Sequence, residues 1–156
     1  MKNKKLLRQT KLVHSFRGVL FVFSLAFILN FVWESYHAFS LYKGHDLVAS
    51  EYLRIMTYVS TVDGLLISAI FLSGCFLWRK DICWIKNYDF SKALYTIILG
   101  FIIASIIEIK ALIFGHWEYS ELMPTLFGMG LSPLVQLSIT GAITFYVASK
   151  FFYGNN

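Results

Sequence analysis

The chain has 156 residues, of which 57% are hydrophobic, 18% aromatic and 15% charged. A soluble domain carries about a quarter charged residues, so this composition excludes an ordinary soluble fold and indicates a membrane protein. The net charge of +5 comes from basic residues that flank apolar runs, which is typical of membrane orientation signals and argues against nucleic-acid binding.

Four apolar runs of about 20 residues predict four transmembrane helices, because this length crosses a hydrocarbon core of roughly 30 Å. The first, 18–37, is longer than the apolar part of a signal peptide and lacks a small-residue cleavage site. The others cover residues 55–78, 93–114 and 133–153. Ser132 should cap the fourth helix, with Pro133 in its first turn. We predict an all-α fold: a single transmembrane domain over residues 1–156, built as a bundle of four transmembrane helices.

The distribution of basic residues predicts the orientation. Eleven Lys and Arg occur in the N-terminal segment, between the second and third runs and at the C-terminal end, whereas residues 115–132 contain none. The positive-inside rule therefore predicts that both termini are cytoplasmic (N-in/C-in), as in a multi-pass protein of the cell inner (cytoplasmic) membrane. The predicted aromatic belts are Trp33, Tyr36, Trp117 and Tyr119 on the outer side, and Trp78, Trp84, Tyr88 and Tyr153 on the inner side.

Ionisable side chains within the spans are the first candidates for a functional site, because hydrocarbon disfavours them unless they face protein or water. With a rise of about 1.5 Å per residue, each span has a polar residue roughly 21 to 25 Å from its cytoplasmic basic anchor. These residues are Glu34, Asp63, Glu108 and Gln136. Asn30 and His37 have the spacing that puts them on the helix face of Glu34. We predict a polar layer in the outer half of the bilayer, with the three acids as candidate catalytic residues.

The loop after the third run, 115–124, should lie over this layer as a short interfacial lid. It contains two carboxylates, one histidine and two amphipathic aromatic residues, but no basic residue. The candidate ligand-binding residues are Asn30, Trp33, His37, His116, Trp117, Tyr119 and Gln136. A structural interpretation also remains open, because buried amides often hydrogen-bond neighbouring helices and Trp and Tyr often anchor the membrane interface.

The types of these residues favour acid–base chemistry. Glu34 and His37 form one E-x-x-H pair, whereas a di-iron bundle needs two; a single metal held together with Asp63 and Glu108 is the metal alternative. No G-x-S-x-G motif is present to suggest hydrolysis. Carboxyl groups in a low dielectric can donate protons, and aromatic faces stabilise carbocations, which suits an apolar lipid or isoprenoid. We expect neither a metal nor a cofactor.

The segment Gly115-His116-Trp117-Glu118-Tyr119 resembles the G-x-W-x-Y segment of the small membrane lycopene cyclases of the heterodimeric bacterial and archaeal type. Trp33-Glu34 resembles their Trp-Asp element. This resemblance implies a multi-helix membrane enzyme that cyclises carotenoid ends by acid chemistry without redox change. The downstream Pro-x-Glu-Glu element of those cyclases corresponds here to Pro133-Leu134-Val135-Gln136, which contains no acid.

The whole chain is also similar to a family of small four-helix bacterial membrane proteins of unknown function. Its motifs are N-x-x-W-E at 30–34, G-x-W-x-Y-x-x-x-M-P at 115–124 and G-x-G-L-S-P-L-x-Q at 128–136. We therefore expect a protein that binds an apolar lipid or isoprenoid, with isomerase- or cyclase-like, non-redox chemistry if it is an enzyme. The alternatives are a non-enzymatic subunit that docks a membrane-protein partner or a second copy, and a small proton or solute transporter that works as a dimer.

Overall fold

A computed structural model describes the backbone of residues 2–43, 48–78 and 82–151, and the side chains of residues 15–43, 48–78 and 84–151. These residues form α1 (Lys2–Ser40), α2 (Ala49–Leu77), a 3-10 helix (Ile82–Asn87), α3 (Phe90–Phe114), β1 (Thr125–Leu126), β2 (Met129–Gly130) and α4 (Leu131–Phe151). Within this part of the chain, four helices are long and apolar enough to cross a membrane. The prediction of an all-α membrane bundle of four transmembrane helices is confirmed, while the N-in/C-in orientation stays a prediction.

The helices differ from the predicted runs mainly at their polar ends. α2 begins at Ala49, six residues before the predicted start at Ile55, because its first turns contain Ser50 and Glu51, which hydropathy does not count as membrane-spanning. α1 continues backwards through the basic leader to Lys2. The predicted belt residue Tyr153 lies outside the described residues.

The helices pack as an antiparallel bundle, in which α1 contacts α2 and α4, and α3 packs mainly on α4. Small residues allow the closest approach between α3 and α4: a Cβ added at Gly100 would lie 2.7 Å from the backbone nitrogen of Ser138. Close contacts of this kind are typical of membrane helices, where packing replaces the hydrophobic effect between helices. The end of the bundle where α1 and α3 finish and α2 and α4 begin is called the upper end below.

The lower end is filled by an aromatic core around Trp84. Its ring stacks on Trp78 at 4.8 Å between centroids, and its Nε1 donates to the carbonyl of Phe71 at 2.9 Å. The prediction that Trp84 belongs to an interfacial belt is wrong, because the 3-10 helix folds back into the bundle and leaves this side chain 1% exposed. A Cβ added at Gly74 would lie 2.4 Å from Trp84, so a glycine is required where α2 passes this ring.

At the upper end, the loop after α3 is pinned across the end of α1. Tyr42 and Tyr119 form an antiparallel bridge, and Ser120 N donates to the carbonyl of Leu41 at 2.9 Å. Strands β1 and β2 then form a small hairpin that the sequence analysis did not predict. Its two turn residues, Phe127 and Gly128, both have positive φ, as a type I′ turn requires. This pinning holds the loop close to the polar side chains of the bundle.

Candidate functional site

Gln136 is the centre of a hydrogen-bond network that joins α1, α2 and α4. Its Nε2 lies 2.6 Å from Glu34 Oε1, 3.0 Å from Asp63 Oδ2 and 3.1 Å from Asn30 Oδ1. An amide nitrogen has two hydrogens, but the hydroxyl of Thr140 also reaches Asn30 Oδ1, at 3.2 Å. Gln136 can therefore donate to both carboxyl groups at once. The one hydroxyl hydrogen of Thr140 is shared between Asn30 Oδ1 and the nearer backbone carbonyl of Gln136, at 2.8 Å.

Helical spacing explains how this network is assembled. Asn30 and Glu34 are one turn apart on α1, and Gln136 and Thr140 are one turn apart on α4, so two turns of each helix face each other. Asn30 is fully buried, and its Nδ2 donates to the carbonyl of Ala26 at 2.8 Å. The structure thus brings four predicted site residues into direct contact: Asn30, Glu34, Asp63 and Gln136.

Glu108 lies in a second, adjoining cluster beneath the loop after α3. It is 2% exposed, and Tyr119 Oη donates to its Oε2. The Gly130 N–H in turn donates to Tyr119 Oη at 3.0 Å, which ties the carboxyl group to the hairpin. Glu108 is also within electrostatic range of Glu34, so the two acidic clusters share one region of the upper end.

Tyr42 is a site residue that the sequence analysis did not select. Burial raises the pKa of its hydroxyl above the usual value, and the charges of Glu108, Glu34 and Asp63 add to that effect. The three acids therefore all lie within electrostatic range of the Tyr42 hydroxyl, which stays protonated at neutral pH. The signal that could have identified it is a tyrosine just beyond the first span, opposite the tyrosine of the G-x-W-x-Y loop.

His37 connects the polar region to aromatic rings. It is 0% exposed, and its Nε2 lies 2.6 Å from Ser132 Oγ, whereas its Nδ1 is buried with no partner among the described residues. The prediction that Ser132 is an N-cap is wrong: α4 begins at Leu131, directly after the hairpin. Ser132 consequently lies in the first turn, where its hydroxyl faces α1.

Five ring side chains form a continuous surface beside the acids, called the aromatic wall: Trp33, His37, Tyr42, Trp117 and Tyr119. Ring centroids are 5.7 Å apart for Trp33–His37, 5.9 Å for His37–Tyr42, 6.1 Å for Tyr42–Trp117 and 5.8 Å for Tyr42–Tyr119. The indole of Trp117 interacts with Glu108 and with Tyr119. The indole nitrogen of Trp33 is buried and lacks a hydrogen-bond partner in the described part of the chain. Burying such a donor without a partner is rare in native proteins.

The remaining predicted site residue, His116, does not lie beside the three acids. Its ring is exposed at the edge of the loop and contacts Phe114 at 6.0 Å and Trp117 at 6.4 Å. The single-metal alternative is not supported either, since residues 15–43, 48–78 and 84–151 contain no group of three His, Cys, Asp or Glu side chains placed to hold an ion. His37 Nε2 is engaged by Ser132 and Glu108 by Tyr119.

A groove of about 460 Å³ lies between α1 and α4, beside this region. Its lining is Leu29, Val32, Trp33, Tyr36, Ser132, Thr140 and Ile143. The two hydroxyls in the lining belong to the polar region, because Thr140 contacts Asn30 and Ser132 contacts His37. The groove is therefore apolar, and these two hydroxyls connect its lining to the polar region. The three acids lie behind the lining and are not part of it.

Among the described side chains, none of the three acids forms an ion pair with a basic residue. The pairs present there are Lys43–Glu118, Arg54–Glu51 and Lys92–Asp89, all away from Glu34, Asp63 and Glu108. The acids are held by neutral donors instead, namely an amide and a phenol.

Comparisons with protein-family models, with curated proteins and with solved structures found no match to this chain. The two family resemblances therefore rest on sequence motifs alone.

Proposed function

We propose that this multi-pass membrane protein binds an apolar lipid or isoprenoid, with its tail in the groove between α1 and α4 and its polar or reactive end at the acids. The observation that carries this proposal is the position of Gln136. Its one amide nitrogen donates to both Glu34 and Asp63, beside the apolar groove between α1 and α4. With the predicted N-in/C-in orientation, the site lies in the outer half of the inner membrane.

The unpartnered polar atoms support a ligand over a purely structural role. In a purely structural network of interhelical hydrogen bonds, each buried donor should have an acceptor. Placing carboxyl groups in such a network costs free energy, because hydrocarbon disfavours ionisable groups. Here Trp33 Nε1 and His37 Nδ1 are buried without partners in the described residues. A ligand that enters from the groove would supply groups for these atoms while covering the aromatic wall.

The chemistry that these residues support is proton transfer without redox change. One carboxyl group can protonate a carbon–carbon double bond of an isoprenoid, which leaves a carbocation on the neighbouring carbon. The aromatic wall stabilises that cation through the ring faces. Loss of a proton from an adjacent carbon to a second carboxylate completes an isomerisation. In a cyclisation, a second double bond of the ligand first attacks the cation to form the ring bond, and the proton is then lost from the new cation. The two carboxyl groups together end with as many protons as they began with. Glu34, Asp63 and Glu108 are the groups that we propose for these transfers.

Native mass spectrometry of the gently extracted protein tests this proposal, with the bound lipid identified from the same sample. The informative variant is the double substitution Glu34→Gln with Asp63→Asn, and Glu121→Gln is the matched control because Glu121 is exposed. We expect wild type and control to retain a lipid or isoprenoid of defined mass that the double variant loses. Equal retention by all three proteins would overturn the proposal, and a co-purified polypeptide in place of a lipid would support the docking-subunit alternative.

A further inference from the structure

We propose that the preferred ligand of this site carries a positively charged organic centre, a substituted ammonium group at the end of an apolar chain. This inference rests on the proposed lipid-binding function and specifies the chemistry of the end that meets the acids. It follows from three features of the upper end: uncompensated carboxyl groups, a wall of ring side chains and a buried imidazole nitrogen without a partner.

The first feature is the charge of the region. Glu34, Asp63 and Glu108 lie within electrostatic range of the single side chain Tyr42, and none of them pairs with a Lys, Arg or His among the described side chains. A buried carboxyl group without a positive partner tends to hold its proton, and a positive partner favours its ionised form. A ligand cation would supply that partner, whereas the phosphate of an anionic lipid would add a second anion beside the acids.

The second feature distinguishes an organic cation from a metal ion. A hard metal ion needs several oxygen atoms that converge on one point, and the described residues contain no such group of side chains. Tyr42 instead contacts His37, Trp117 and Tyr119 at centroid distances of 5.8 to 6.1 Å. Aromatic faces beside carboxylates suit a large cation whose charge is spread over methyl groups.

The third feature is the buried imidazole of His37. When Nε2 carries the proton and donates to Ser132, Nδ1 is a buried acceptor that no described residue serves. A protonated tertiary amine has one N–H donor and three carbon substituents, so it can satisfy Nδ1 and still contact the rings. The adjoining groove, with Val32 and Ile143 in its lining, then accommodates the alkyl chain.

Binding of three amphiphiles of equal chain length tests this inference: dodecyldimethylamine (protonated at neutral pH), 1-dodecanol and dodecyl phosphate. Affinities are measured by titration calorimetry on the full-length protein in nanodiscs of zwitterionic lipid. We expect the ammonium probe to bind at least about tenfold more tightly than the alcohol, a difference within the range of charge and cation–π effects. The phosphate should bind more weakly than the alcohol.

Two variants assign the preference to this site. Glu108→Gln removes one charge and keeps the shape, and Tyr42→Leu removes the central ring; each should reduce the ammonium-to-alcohol ratio at least about threefold. Glu121→Gln should leave the ratio unchanged. Circular dichroism and size-exclusion chromatography establish whether each variant is folded. If Tyr42→Leu does not fold, the result for Glu108→Gln decides the assignment.

Each result has a definite meaning. Alcohol binding as tight as ammonium binding would overturn this inference and leave the proposed lipid-binding function standing. An ammonium preference that survives both folded variants would also overturn it, because the selectivity would then arise elsewhere. Failure of all three probes to bind would overturn the inference together with the proposed function.

Discussion

Gln136 on α4 and Glu34 on α1 meet inside the bundle, with 2.6 Å between Nε2 and Oε1. The same nitrogen reaches Asp63 on α2 at 3.0 Å, so one neutral side chain connects two acids from different helices. This contact makes the polar network part of the packing as well as part of the proposed site. Its contribution to stability can therefore be measured separately from ligand binding.

Replacement of Gln136 by alanine should destabilise the bundle, because Glu34 and Asp63 would lose their shared donor. We expect the free energy of unfolding to fall by about 1–3 kcal/mol, the usual cost of leaving buried polar groups unsatisfied. Titration with a denaturing detergent in mixed micelles measures it. Ile139→Ala on the exposed face of the same helix is the control, and equal losses in both variants would contradict a structural role for the amide.

Tyr119→Phe should loosen the upper-end loop without unfolding the helices. The hydroxyl donates to Glu108 and accepts from the Gly130 N–H, so its removal frees the hairpin from α3. Hydrogen exchange measured by mass spectrometry should become faster over residues 116–131 and remain unchanged in α2. Tyr36→Phe, at an exposed tyrosine, should show neither effect. Unaltered exchange in Tyr119→Phe would mean that the loop is held by its backbone bonds alone.

The α3–α4 contact should be intolerant of a single methyl group. A Cβ at Gly100 would lie 2.7 Å from Ser138 N and 2.8 Å from Ser138 Cα, which are backbone atoms that cannot move unless the helices separate. We expect Gly100→Ala to lower the free energy of unfolding by about 1–3 kcal/mol. Gly64→Ala is the matched control, since its Cβ would approach the side-chain ring of Phe23 at 3.1 Å. A larger loss for Gly64→Ala would contradict this account.

The N-cap of α3 predicts a pH dependence of stability. Asp89 accepts from Lys92 N at 3.1 Å, and this backbone hydrogen bond, followed by the interactions with the Lys92 side chain, lowers the pKa of Asp89. A lowered pKa in the folded state means that the stabilisation is complete above the unfolded pKa of about 3.9 and is lost as the pH falls through the folded value.

Melting temperatures of wild type and Asp89→Asn between neutral and strongly acidic pH measure this effect. Asparagine keeps an acceptor at the cap but cannot titrate. Wild type should therefore be the more stable protein at neutral pH, and its advantage should disappear as the pH falls through the lowered pKa of Asp89. Parallel curves would show that the charge of Asp89 contributes nothing to the cap.

Membrane orientation is the prediction that the fold leaves open. The basic residues predict that both termini are cytoplasmic, so cysteines placed at Glu118 and Lys150 should differ in their reactivity. Glu118 and Lys150 are both exposed. In intact cells, with Cys75 and Cys83 replaced by serine, an impermeant maleimide should label Glu118→Cys but not Lys150→Cys. The reverse pattern would place the site in the cytoplasmic half of the bilayer.

Local patterns in the sequence predicted the spans and the polar residues, whereas contacts between distant segments were not predictable. Hydropathy located the four helices because burial in lipid depends on composition over a window. The contact of Tyr42 with Tyr119, the pairing of His37 with Ser132 and the burial of Trp84 against Phe71 each join different elements of the fold. Such contacts depend on how loops fold back onto the bundle, which helical periodicity does not specify.

Filling the groove is the most direct test of the account. Ile143→Trp places an indole in the groove between α1 and α4, while Ile106→Trp puts the same side chain on the exposed surface of α3. Neither substitution alters a carboxyl group or the aromatic wall. Native mass spectrometry of both variants should show that Ile106→Trp retains the lipid bound by wild type and that Ile143→Trp has lost it. Full retention by Ile143→Trp would contradict the claim that the groove is where this protein holds its ligand.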